Sequence, residues 1–154
     1  MDVMHCTYDI DGDDFTSAGE ASGKMKRVLR KIGVDFEIIR RCAICMYEGE
    51  INMVIHANGG TADVYVDVDS VKIELKDNGP GIPNLDLAMQ EGYSTASEEV
   101  RNLGFGAGMG LPNMKRYSDE ITIATRLGEG TTVTMMVNFN EKVRRGSFES
   151  CGNS

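Results

Sequence analysis

A row of polar side chains that could hold a metal–phosphate group recurs at every fourth position of one helical segment: Glu48, Asn52 and His56. Because four residues advance only ~40° around a helix, the three share one stripe, whereas Glu50 lies ~160° from Asn52 and should point elsewhere. Carboxylate and carboxamide oxygens are ligands that suit Mg²⁺. Taken alone, the row fits a solvated helix face better than a binding site, and His56 near the helix end fits a carbonyl cap.

A carboxylate followed by glycines stands at the end of a predicted strand, in the run Asp77-Asn78-Gly79-Pro80-Gly81. As an isolated pentapeptide this is an ordinary turn. At a strand end, however, the Asp77 carboxylate can accept a hydrogen bond from an exocyclic amine such as that of adenine. The glycines let a flat ring approach the backbone. The run therefore indicates a site for a nucleotide base beside the strand.

Four glycines alternate in the run 104–110, directly before a predicted helix at residues 111–117. Bare N–H groups at a helix start bind phosphate through unpaired amides and the helix dipole. Pro112 falls in the first helical turn, where its missing N–H costs nothing, and this favours a binding loop over a flexible linker. The run is neither a Walker A loop nor a Rossmann turn, because it lacks the Gly-Lys-Ser/Thr ending and an immediately preceding strand.

The elements that must position these residues follow from the spacing of the apolar residues. Gly33 and the run Asn58-Gly59-Gly60 stop two helices, and the run Gly128-Glu129-Gly130-Thr131-Thr132 reads as a hairpin turn entering a strand. The order of the helices and strands predicts an α+β two-layer sandwich, in which a mixed β-sheet carries helices on one face and a glycine-rich lid. The predicted elements are a weak strand at 6–10, helices at 17–32 and 35–57, strands at 62–68 and 71–75, a lid within 77–110, a helix at 111–117, and strands at 120–125 and 131–139.

Composition restricts the class of protein. The chain has 154 residues, about one domain, which we place at residues 1–139 with a polar, frayed tail at 140–154. With 16 Lys+Arg against 24 Asp+Glu the net charge is −8, which argues against binding to nucleic acid or anionic membranes. We see no apolar run of membrane-spanning length and no signal peptide, so we expect a cytoplasmic protein in which Cys42 and Cys45 are buried fillers.

The four motifs, in this order and spacing, resemble those of the GHKL ATP-binding family. Glu48-x3-Asn52-x3-His56 resembles its N box. The run at 77–81 resembles its first glycine box, the run at 106–110 its lid box and the run at 128–132 its last box. Within the family the chain resembles the anti-sigma-factor serine kinases and, more closely, the stressosome switch kinases. The runs at 77–83, 91–95, 110–112 and 115–116 are similar to the latter, and the Asn52…His56 half of the N box is more similar to the former. Sensor histidine kinases fit less well, because we expect no room for a dimerisation helix pair that bears a phospho-acceptor histidine. His56 cannot be that histidine, because it occupies the N-box position.

The resemblance implies a role for each matching residue. Glu48 would be the general base that orients an attacking serine hydroxyl, and Asn52 would ligate Mg²⁺. Asp77 would bind the adenine amine, directly and through a water shared with Thr131 or Thr132. Gly79 and Gly81 would leave room for the ring. The nucleotide's phosphates would be held by the lid residues, which are Gly104, Gly106, Gly108, Met109, Gly110 and Leu111.

One position departs from the anti-sigma kinases, which carry a basic residue just before the lid glycines. This chain has Gly106-Ala107 there, and the nearest candidate to reach the γ-phosphate is Arg101, several residues upstream. Without such a cation, kinase turnover would be slow and binding would be the main function of the protein.

The function that the resemblance implies is that of an ATP- and Mg²⁺-dependent serine kinase whose substrate is a STAS-domain anti-sigma-factor antagonist or scaffold. Phosphorylation would switch its partners. A sigma factor or a phosphatase regulator is a candidate further partner, and the family suggests a homodimer. The alternative is an ATP-occupied anti-sigma or partner-switching module with little or no catalysis. A structural domain with a decayed nucleotide site is the third alternative.

Overall fold

The computed structural model describes residues 2–13, 15–90 and 110–139, and these form one five-stranded sheet covered by helices. The strands lie in the order β1-β2-β3-β5-β4, and every pairing among them is antiparallel. The strands are β1 (Asp2–Asp11), β2 (Gly59–Asp67), β3 (Ser70–Asp77), β4 (Glu120–Arg126) and β5 (Gly130–Asn138).

The α+β class is confirmed, but the mixed sheet predicted from the sequence is wrong for the described strands. Two helices in succession separate β1 from β2. A single crossover helix returns the chain to the end at which the first strand began, and the next strand is then parallel. Two helices return it to the opposite end, so β2 runs antiparallel to β1.

Four helices and a short 3-10 turn complete the described chain. The turn at Phe15–Ser17 precedes α1 (Glu20–Lys31), and α2 (Phe36–His56), α3 (Leu85–Ala88) and α4 (Gly110–Tyr117) follow. The first predicted helix thus begins three residues late, because Gly19 has a positive φ of 101° and interrupts the helical path. The predicted stop at Gly33 is confirmed by its φ of 85°.

The second predicted helix matches α2 to within one residue at each end. Asp35 caps it, because its side chain accepts a hydrogen bond from the Glu37 N–H at 3.1 Å. No helix in the described ranges is both long and apolar enough to cross a membrane.

The core lies between one face of the sheet and the helices. Alternate residues of the inner strands, such as Val64, Ile73 and Met135, meet Leu29 of α1 and Met46 of α2, and all five are buried. The other sheet face carries no helix among the described residues and is polar. Because the helices lie on one face only, α2 faces the ends of β3 and β5 on that side of the sheet.

Cys42 and Cys45 are fully buried among apolar side chains, which confirms that they fill the core. Burial raises the pKa of the Cys45 thiol to about 12 and raises that of Cys42 as well. The thiolate is the reactive form of cysteine, so neither residue should react while the protein is folded.

With Cys6 and Cys151 changed to serine, we expect Cys42 and Cys45 to react with a thiol reagent at pH 8 at least about 100-fold more slowly in the native state than in urea. The measurement is the time course of reagent absorbance in both conditions. Rapid native labelling of either thiol would contradict their placement in the core.

Candidate functional site

The face of α2 that carries Glu48 and Asn52 lies against α4. The Nδ2 of Asn113 donates a hydrogen bond to Oε2 of Glu48 at 2.7 Å. Gly110, the first residue of α4, lies so close to Asn52 that a Cβ there would be 2.8 Å from the Asn52 Nδ2. The structure therefore brings both predicted α2 residues to the start of the helix that follows the glycine-rich run.

The same two helices remain in contact further along, running antiparallel. The Cys45 Sγ is 3.8 Å from the backbone oxygen of Met114, and the Arg41 Nε donates to the backbone oxygen of Tyr117 at 3.0 Å. The Arg41 guanidinium also pairs with Asp119 at 3.0 Å. These contacts hold α4 lengthwise along α2, so the Glu48–Asn113 contact lies between two helices that also meet further along.

Asp77 ends β3 on the helix-covered face of the sheet. Its Oδ1 accepts hydrogen bonds from the N–H groups of Gly79, at 2.9 Å, and Thr131, at 3.2 Å. Its Oδ2 accepts no hydrogen bond from any residue in the described ranges. The carboxylate is therefore held by one oxygen and presents the other as a free acceptor.

Strand register places Thr131 beside Asp77 and puts Thr132 beside Lys76. Thr131 is buried on the helix-covered face, and its Oγ1 lies 2.8 Å from that of Thr125. Because side chains alternate along a strand, Thr132 projects from the opposite face. Of the two threonines that the sequence left open, Thr131 is the one adjacent to the Asp77 carboxylate.

Gly79 and Gly81 are required by the chain's own packing. A Cβ at Gly79 would lie 2.7 Å from both the Cα and the Cβ of Ala57, at the end of α2. Gly81 has a φ of 82°, and a Cβ there would lie 2.5 Å from the backbone oxygen of Arg126. These contacts show that the loop after β3 lies against α2 and β4. The expected role of Gly79 and Gly81 in leaving room for a flat ring stays a prediction.

His56 is the last residue of α2. Together with Gly79 it lines an open cleft of about 530 Å³ between the end of α2 and the loop after β3, and neither Glu48 nor Asn52 is among the lining residues. Its ring is partly shielded from solvent, and this burial lowers the pKa of the imidazole.

The predicted lid is only partly within the described chain. Gly110 begins α4 one residue earlier than predicted, and Leu111 is buried against the core. Gly104, Gly106, Gly108, Met109 and Arg101 lie outside the described residues, as does the tail at 140–154.

Asn113 is the residue that sequence reasoning missed. It follows Gly110 by three positions in a short helix, and nothing in that spacing distinguishes it from a solvent-facing asparagine. Only the antiparallel arrangement of α4 along α2 brings its amide to Glu48.

The oxygen donors of Asp77 and Asn52 suit what ATP and Mg²⁺ require. Asp77 offers a free carboxylate oxygen, and the Asn52 carboxamide makes no hydrogen bond to another described residue. No three His, Cys, Asp or Glu side chains in the described ranges gather into a metal-binding group. Mg²⁺ commonly takes only one or two protein ligands and completes its shell with phosphate oxygens and water, so these residues fit an ATP-bound Mg²⁺.

A two-layer α+β domain with a carboxylate ending a central strand and a Glu–Asn row on the facing helix is an ATP-binding type of domain. The family model described as "Histidine kinase-, DNA gyrase B-, and HSP90-like ATPase" matches residues 18–141, and the chain belongs to this family. This confirms the resemblance drawn from the motifs.

Relatives with assigned names are similar to this chain at moderate identity. It is 32% identical over 99 residues to the "Anti-sigma F factor" of Thermoanaerobacter sp. (strain X514), which covers 64% of this chain and 62% of the relative. It is 30% identical over 112 residues to the "Serine/threonine-protein kinase RsbT" of Bacillus subtilis (strain 168), covering 70% of this chain and 78% of the relative. The chain thus matches less than two thirds of the length of the first of these relatives.

Among solved structures, the fold is similar to that of a Mycobacterium tuberculosis protein containing RsbU and RsbW domains. The TM-score is 0.58 at 17% sequence identity, covering 88% of this chain and 32% of that one. At this identity the similarity supports the fold alone.

Proposed function

We propose that this protein is a Mg²⁺- and ATP-dependent serine kinase that phosphorylates a STAS-domain anti-sigma-factor antagonist or scaffold and exchanges partners on phosphorylation. The observation that carries the proposal is the Glu48 carboxylate, held by Asn113 one helical turn from Asn52. The relatives named anti-sigma F factor and serine/threonine-protein kinase RsbT support it.

The described residues suit the separate tasks of phosphoryl transfer. Asp77 would accept the adenine amine on Oδ2, because Oδ1 is already bonded to Gly79 and Thr131. Asn52 would hold the Mg²⁺, and the bound ion would supply positive charge that neutralises the phosphates of ATP. Glu48 would orient the serine hydroxyl and take its proton.

The phosphates would lie against the glycine-rich run that leads into α4. Gly110 and Leu111 are the described members of that run, and the phosphate contacts of Gly104, Gly106, Gly108 and Met109 stay predictions. So does a contact between Arg101 and the γ-phosphate. The absence of a basic residue at Gly106-Ala107 favours the alternative function, an ATP-binding partner-switching module with little turnover.

We extend the proposal to a homodimer through the amino-terminal strand and helices, and to a sigma factor or a phosphatase regulator as further partners. β1 lies at an edge of the sheet, paired only with β2 among the described strands, so its other edge can accept a partner.

The test of the proposed function is incubation of the wild-type protein with ATP, Mg²⁺ and a purified STAS-domain protein, followed by mass spectrometry for phosphoserine. Stoichiometric, Mg²⁺-dependent phosphorylation is the expected result. Tight ATP-dependent binding of the STAS protein without phosphoserine would favour the partner-switching module. Absence of ATP binding in calorimetry would overturn both.

Asp77→Asn should weaken ATP binding about 100-fold, because a donor N–H₂ would replace Oδ2, the oxygen proposed to accept from the adenine amine. The remaining amide oxygen can still accept from Gly79 and Thr131, so the fold should be kept. Calorimetry with Mg²⁺ measures the affinity. Asp63→Asn is the matched control, since Asp63 bonds Thr7 and His5 on the helix-free face and should leave affinity unchanged. Wild-type affinity in Asp77→Asn would place the base elsewhere.

A further inference from the structure

We propose that Asn113 is a positioning residue for phosphoryl transfer: it holds the Glu48 carboxylate so that one oxygen is fixed and the other faces the serine hydroxyl. The inference rests on the proposed kinase function and adds to it a residue from a second helix. Asn113 acts through Glu48, so its effect should appear in the chemical step and vanish when Glu48 can no longer act as a base.

The first support is the contact itself. The 2.7 Å separation between the Asn113 Nδ2 and the Glu48 Oε2 is short for a nitrogen–oxygen hydrogen bond. An ionised carboxylate can only accept, so the amide must present its N–H₂ group and not its oxygen. Within the described ranges Asn113 is the one side chain that donates to Glu48, which leaves Oε1 for another donor.

The second support is the chemistry of the donor. An amide carries no charge, so it orients the carboxylate without offering the ion pair that a lysine or arginine would form. A general base needs a fixed direction and a lone pair that still accepts a proton. A neutral donor on one oxygen satisfies both requirements.

The third support is the rigidity of the element that carries Asn113. The packing of Gly110 against Asn52 fixes one end of α4, and the bond from Arg41 to the Tyr117 carbonyl fixes the other. Asn113 lies between these two contacts. Positioning groups work when their own place is fixed by packing, and this helix pair supplies that condition.

A purely structural helix–helix bond would also be lost in Asn113→Ala, so the test is a double-mutant cycle with kinetic readouts. The variants are Asn113→Ala, Asn113→Asp, Glu48→Gln and Asn113→Ala/Glu48→Gln, with Lys115→Ala, an exposed change on the same helix, as the matched control. Measured quantities are kcat for STAS-domain phosphorylation, KM for the STAS protein, ATP affinity by calorimetry and thermal stability.

We expect Asn113→Ala to lower kcat about 10- to 100-fold, with KM and ATP affinity within about 2-fold of wild type, since small misplacements of reacting groups cost rate. Asn113→Asp should lower kcat further, because it places like charges at the 2.7 Å contact. In the Glu48→Gln background, Asn113→Ala should cause no further loss.

Each other outcome has a distinct meaning. If Glu48→Gln is impaired while Asn113→Ala and Asn113→Asp keep wild-type kcat, the inference is overturned and the kinase function stands. If the losses from Asn113→Ala and Glu48→Gln multiply in the double variant, or if the Asn113→Ala loss follows a fall in thermal stability, Asn113 is structural only. If wild type transfers no phosphate, the proposed function fails and the inference with it.

Discussion

Replacing Glu48 with glutamine should reduce phosphorylation of the proposed STAS-domain substrate by a factor of about 10²–10⁴, the usual contribution of a general base. Glutamine keeps an acceptor oxygen for the Asn113 amide, so the side chain should stay in place while losing its ability to take a proton. In the proposed function Glu48 acts on the serine hydroxyl and Asp77 on the adenine, so ATP affinity should remain within about 2-fold of wild type. Single-turnover phosphotransfer and calorimetry measure the two quantities.

The matched control is Glu37→Gln, which removes a carboxylate from the same helix. Glu37 is exposed and bonds Arg40 at 2.6 Å, far along α2 from Asn52, and its loss should leave turnover unchanged. Wild-type turnover in Glu48→Gln would remove the base assignment. A parallel loss of ATP affinity would instead place Glu48 at the nucleotide.

The parts of the fold that sequence reasoning predicted well are those fixed by local signals. Asp35 can cap and Gly33 can adopt a positive φ whatever the rest of the chain does, so the end of α1 and the start of α2 followed from the sequence. The spacing of Glu48 and Asn52 likewise fixes their common helix face. The direction of the strands depends instead on how many helices return the chain between them, and here the prediction of a mixed sheet was wrong.

The parts of the site that could not be predicted depend on contacts between distant segments. Whether Thr131 or Thr132 accompanies Asp77 is decided by the register of β3 against β5, which the motif alone leaves open. Asn113 reaches Glu48 only because α4 packs antiparallel to α2. Gly79 matched a ligand-binding pattern, but the atoms nearest to its missing Cβ belong to Ala57 of the protein itself.

Glu50 of α2 caps the start of the neighbouring helix α1. The helical wheel predicts that it points away from Asn52, and it does so, into the start of α1. Its carboxylate accepts hydrogen bonds from the backbone N–H groups of Gly19 at 2.7 Å, and of Ala21 and Ser22 at 3.2 Å each. Gly19 offers no side-chain cap of its own, so a residue from another helix satisfies the amides that every helix start leaves unpaired.

Glu50→Ala should therefore destabilise the protein by about 3–5 kcal/mol, since it leaves several amides unpaired at a site where Glu50 is only 2% exposed. Glu50→Gln keeps one acceptor oxygen and should fall between Glu50→Ala and wild type. Urea unfolding followed by circular dichroism gives the free energies, and Glu37→Ala is the control on the same helix, with no expected change in midpoint. If Glu50→Ala unfolds at the wild-type midpoint, the start of α1 must be held by its apolar packing, through Ala21 and Met25, and not by this carboxylate.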